Sequence, residues 1–104
     1  MEKDFINNRN KNKNILQKNF KIIRDIIGFT DEEFAISTGT TKQTISNIEC
    51  GKYLLKPSMY LLIRYILDDY MVKNPYTKQT KELKNKLIEL FGTLNWKDYD
   101  MPKQ

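Results

Sequence analysis

Four polar side chains cluster in the segment KQTISNIE: Lys42, Gln43, Thr44 and Asn47. Glutamine and asparagine amides can pair bidentately with adenine, and a lysine ammonium can reach the acceptors of guanine. Such chemistry needs the side chains on one outward face of a rigid rod. Ile45 and Ile48, three residues apart, give that rod an inward edge. Lys42, Gln43 and Asn47 are therefore expected to project away from the interior, with Thr44 at the margin.

No other set of residues suggests a reaction. The chain has no histidine and a single cysteine, Cys50, which leaves neither a disulfide framework nor the usual zinc ligands. No metal or cofactor is expected, and a reducing cytosol fits this usage. The acids Asp31, Glu32 and Glu33 are accounted for by helix capping and Asp68-Asp69 by a solvated helix end. No nucleophile-base pair accompanies them, so catalysis is not expected.

The rod must be held by other elements, and the sequence reads as all-helical. Asn14 is a candidate N-cap, followed by Leu16, Phe20, Ile23 and Ile27 at helical spacing up to Gly28. Thr30 with Glu33 forms a capping box for a short second helix that ends at Gly39. Thr40 or Thr41 can cap the third helix, which Gly51 closes. Pro57 opens a fourth helix that runs to Lys73-Asn74-Pro75, and a fifth begins near Thr77. Two short helices joined by a glycine-containing turn, the second amphipathic, describe a helix-turn-helix.

With 104 residues and 39% apolar content the chain matches one domain. It divides into a basic arm at 1–13, a helical unit at 14–72 and a C-terminal helix with tail at 73–104. A net charge of +5 favours a polyanionic partner, and no stretch is apolar enough for a signal peptide or a bilayer span. The positive charge is concentrated early: residues 1–28 carry seven basic and three acidic side chains, residues 29–56 three and four. Arg9, Lys11 and Lys13 in the arm have two readings, a strap around a duplex or a solubilising tail. Leu83, Leu87 and Phe91 also have two: core packed on helices one and four, or, with Trp96 and Tyr99, the seam of a two-fold dimer. A dimer would set two recognition helices about 34 Å apart, one DNA turn. The tail from Trp96 is unassigned.

The stretch TDEEFAISTGTTKQTISNIECGK, residues 30–52, resembles the Cro and phage-repressor (XRE-type, lambda repressor-like) helix-turn-helix family. Ala35 in helix two, Gly39 in the turn, and Ile45-Ser46 followed by Glu49 and Gly51 carry the likeness. Phe20, Ile23, Arg24 and Ile27-Gly28 are similar to the family's first helix, which extends the resemblance to about 14–69. It implies a five-helix DNA-binding domain with an N-terminal arm and a C-terminal extension, acting as a homodimeric repressor on a partly palindromic operator of double-stranded DNA. It also implies base contacts from Lys42, Gln43, Thr44 and Asn47, and backbone contacts from Thr41, Lys52 and Tyr53, with Arg9, Lys11 and Lys13 adding to these from the arm. Arg24 and Glu49 fall on a buried ion pair between helices one and three, structural like Gly39 and Gly51. Asp31 stands where the family often has a glutamine near a phosphate, and with Glu32 it should oppose DNA there. The connection from Gly51 to Pro57 is longer than usual in the family.

Two other functions fit the same residues: an antitoxin whose segment from Asn74 onward binds a toxin, and a protein-interaction adaptor that has lost DNA contact. All three place the chain in the cytoplasm, the regulator at the nucleoid.

Overall fold

The computed structural model describes residues 2–94, with side chains from Arg9 onward. Its described residues form five α-helices and no strand: α1 (Glu2–Ile27), α2 (Asp31–Thr38), α3 (Lys42–Glu49), α4 (Pro57–Lys73) and α5 (Lys78–Phe91). Among them no helix is long and apolar enough to cross a membrane.

The caps follow from local chemistry. Thr30 Oγ1 accepts the Glu33 N–H at 3.0 Å while Glu33 Oε1 accepts the Thr30 N–H at 2.8 Å. This reciprocal pair satisfies two donors that the first turn of α2 leaves without intrahelical partners. Thr41 Oγ1 accepts the Thr44 N–H at 3.1 Å and starts α3, and Thr77 does the same for α5 through the Thr80 N–H. Gly39, at φ +71°, turns the chain out of α2 in a conformation that a side chain would strain. Only Thr40 and Thr41 then separate it from α3, so the two eight-residue helices are held as a tight pair.

α1 corrects the expected boundary. The helix starts at Glu2 rather than Asn14, so residues 2–13 form its first half and not a separate arm. Arg9 and Lys13 are half-buried there and Lys11 is exposed. The apolar rhythm fades before Leu16, and apolar spacing marks where a helix meets the core, not how far it extends beyond it.

The core is continuous through all five helices. Leu16, Phe20, Ile23 and Ile27 of α1 meet Phe34 and Ala35 of α2, Ile45 and Ile48 of α3, Tyr60, Ile63 and Leu67 of α4, and Leu83 and Leu87 of α5. Phe34 is fully enclosed: Phe20 meets it edge-on at 5.0 Å between ring centres, and Phe29 leans on it at 5.4 Å. Each such side chain contributes roughly 1.5 to 3 kcal/mol by leaving water. Leu83 and Leu87 are buried within this one chain, so they belong to its core and cannot form the dimer seam. Phe91 is half-buried against the same cluster, whereas Trp96 and Tyr99 lie outside the described residues.

Candidate nucleic-acid interface

α3 carries the candidate side chains, and its C-terminal half is fixed from below. Ile45 and Ile48 enter the core. Glu49, in the last turn, receives the Arg24 guanidinium from α1, with Nε at 2.6 Å from Oε2 and Nη2 at 3.4 Å from Oε1. Arg24 also lies 3.0 Å from Asp31 Oδ1 at the start of α2 and 3.6 Å from Asp25, and it donates to the Phe29 carbonyl at 2.6 Å. One cation thus joins α1, α2 and α3, as the resemblance implied for Arg24 and Glu49. Hydrogen bonding to Glu49 holds Arg24 firmly charged. Burial raises the Glu49 carboxyl above the ordinary glutamate range, and sharing with Asp31 adds to this against the opposing pull of Arg24.

Asp31 is therefore not the bare negative charge that its sequence position suggested. Its carboxylate is paired with Arg24, and the Glu33 carboxylate is committed to the α2 cap. Glu32 alone of the three acids stands exposed without a structural partner in this arrangement.

The N-terminal half of α3 is open. Lys42 and Gln43 are exposed, and Thr44 is half-buried at the margin, its hydroxyl 2.9 Å from that of Thr41. Asn47 departs from expectation: it is only 7% exposed and does not project outward as a base contact. Gln43 Nε2 donates to Asn47 Oδ1 at 3.1 Å, so the longer amide lies over the shorter one. Behind it the chain curls back, with Lys52 and Tyr53 N–H groups both donating to the Asn47 carbonyl at 2.8 and 3.2 Å. Asn47 thus supports Gln43 and the turn rather than projecting from the surface.

The segment after α3 completes the surface. Gly51, at φ +81°, redirects the chain, and Leu55 plugs into the core at 1% exposure. Tyr53 and Leu54 remain outside, 50% and 76% exposed. Between this loop, α3 and the start of α4 lies an open groove of about 830 Å³. It is lined by Thr40, Thr44, Ile48, Lys52, Lys56 and Met59 together with Tyr53 and Leu54. Thr44, Lys52 and Tyr53 are thus brought to one groove, and Lys42 and Gln43 precede Thr44 in the first turn of α3 without lining it. Arg9, Lys11 and Lys13 sit on α1 and are not part of this groove.

One organising residue was not legible in the sequence. Gln17 of α1 donates through Nε2 to the Ile48 carbonyl at 3.0 Å and to the Tyr53 carbonyl at 2.7 Å, while its Oε1 accepts the Leu55 N–H at 3.0 Å. Its partners lie 31 to 38 residues further on, beyond any local motif. In the sequence Gln17 reads as one more polar residue at the margin of the Leu16–Phe20–Ile23 stripe, in line with Lys13 and Arg24.

Among the described residues no group of histidine, cysteine or acidic side chains could hold a metal ion. Comparison with protein-family models, curated proteins and solved structures gave no match to this chain.

Proposed function

We propose that the chain is a sequence-reading, DNA-binding transcriptional regulator of the lambda repressor-like, XRE-type helix-turn-helix class, acting as a dimeric repressor. The observation that carries this reading is the division of α3. Its inward residues and Glu49 are anchored to α1, while Lys42, Gln43 and Thr44 are presented together beside a lysine-edged groove. A rod fixed at one side and polar at the other suits insertion into the major groove, with Gln43 against an adenine edge and Lys42 against guanine. The groove edged by Lys52 and Lys56 suits the adjoining sugar-phosphate backbone, where neutralised phosphates give affinity without sequence preference.

Asn47 leaves the set of base contacts, and specificity passes to Gln43, Lys42 and Thr44. The dimer uses surfaces other than Leu83 and Leu87, which are buried within one chain. Selection of bound duplexes from a random pool, followed by sequencing, tests the whole reading. It should return a short motif repeated with two-fold symmetry at about one helical turn. A pool that shows no enrichment removes the regulator. Sedimentation of the selected complex should give two protein chains per duplex, and a single chain per duplex would remove the dimer.

A further inference from the structure

We infer that Gln17 is the positioning residue for the DNA-backbone loop, so that the placement of Lys52, Tyr53 and Lys56 beside α3 depends on one amide in α1. The inference rests on the regulator reading for what the loop touches, but not for how the loop is held.

The loop from Cys50 to Lys56 must do two opposed things. It has to keep Tyr53 and Leu54 in solvent while sending Leu55 into the core. A single side chain reaches the three backbone groups that define this course. The Ile48 carbonyl marks where α3 ends, the Tyr53 carbonyl marks the outward bend, and the Leu55 N–H marks the return inward. An amide is the only uncharged side-chain group that donates twice and accepts once in this way. Glutamate would lose both donors and set a carboxylate against two carbonyl oxygens, and leucine would lose all three bonds. Orientation of the amide is also fixed by its partners, since two carbonyls accept only from nitrogen and one N–H donates only to oxygen.

The bonds lie at the edge of the groove that Lys52 and Lys56 flank. Without them the stretch from Leu54 to Leu55 would keep only the burial of Leu55, the remaining loop bonds lying at the α3 end, through Cys50, Gly51, Lys52 and Tyr53, and at Lys56, which opens α4. The lysines would then reach a phosphate only after an ordering cost, whereas a fastened loop has met that cost on folding. Gln17 has no contact of its own with the outward face of α3, so its loss should leave the choice of base untouched.

The experiment compares the full chain with Gln17→Leu and Gln17→Glu. Circular dichroism first establishes that helical content is retained, as expected with Leu16 and Phe20 unchanged. If Gln17→Leu loses it, Gln17→Glu, which keeps the acceptor for Leu55, serves in its place. Loop order is read from hydrogen exchange at the Leu55 amide and from trypsin cleavage after Lys52, since the Lys56-Pro57 bond resists trypsin. Both should accelerate by about tenfold or more in the variants. DNA binding is read with the duplex selected by the parent protein. The slope of log K against log salt should become shallower by about one to two, the equivalent of one or two phosphate contacts, with unchanged base preference opposite Gln43. Unchanged exchange and cleavage would overturn the inference outright. So would a loosened loop with an unaltered salt slope. A parent protein that selects no DNA sinks the regulator reading instead, while exchange and cleavage still decide whether Gln17 holds the loop.

Discussion

α1 holds α3 and its following loop at two places, seven residues apart on the same helix, and the two holds are built from opposite materials. At Arg24 a guanidinium meets three carboxylates and a carbonyl in a half-dry pocket. At Gln17 a neutral amide meets two carbonyls and one N–H. The charged hold joins three helices but carries a large desolvation cost, so its net worth is small even though breaking it is expensive. The neutral hold has little to desolvate, and each bond contributes roughly 0.5 to 1.5 kcal/mol. Rigid placement of α3 and fine placement of its loop are thereby separated: the first is sensitive to charge balance, the second is not.

The largest expected effect comes from removing the cation alone. Arg24→Ala leaves Glu49 and Asp31 facing each other with no partner and should cost about 3 to 5 kcal/mol of folding stability, read as a fall in urea midpoint. A loss below about 1 kcal/mol would show that the charged hold is not structural. Replacing Arg24, Asp31 and Glu49 together by Met, Leu and Leu sharpens the contrast. That triple change should be neutral or stabilising by about 1 to 4 kcal/mol, because the desolvation cost disappears with the charges. Strong destabilisation would mean that the ions carry net stability.

Next comes the open end of α3. Gln43→Ala should weaken binding to the selected duplex by about 1 to 3 kcal/mol and relax preference at one base pair per half-site, with the urea midpoint nearly unchanged. Retained preference would place the reading surface elsewhere.

The smallest effect is in pH, where the two holds should part most clearly. A carboxyl whose folded pKa is raised contributes stability that is fully present below its unfolded pKa and is lost as pH rises through the folded value. Glu49 is such a group, through burial and through Asp31. Its contribution therefore declines from the acid side of the glutamate range upward. Asp31→Asn removes one cause and should flatten that decline in urea midpoints taken across the range, whereas Gln17→Leu should shift all midpoints equally. A Gln17→Leu shift that itself varies with pH would join the two holds into one.

The parts of this arrangement that could be read from sequence were those with partners nearby in the chain. The Thr30–Glu33 box, the Thr41 cap, the turn at Gly39 and the start at Pro57 are each settled within a few residues, and they stand where their residue types require. Arg24 with Glu49 was legible only by resemblance, because nothing local joins residues 25 positions apart. Asn47 was misjudged because a helical wheel ranks polar residues as outward, and it cannot foresee a neighbour's amide lying across them or a chain doubling back on their carbonyl. The start of α1 was misplaced for a related reason: apolar periodicity marks where a helix meets the core, not how far it runs. Gln17 escaped notice since its worth lies wholly in distant backbone groups.

The packing of α5 on α1 makes the first and last helices of the described residues neighbours in space. During synthesis, then, the face of α1 that α5 covers stays open until the ribosome has made residues 83 and 87, and completion of the interior is deferred almost to the last of the described residues. A message cut short before that point would yield a chain with an open greasy seam, fit for chaperones and proteases rather than for partial service.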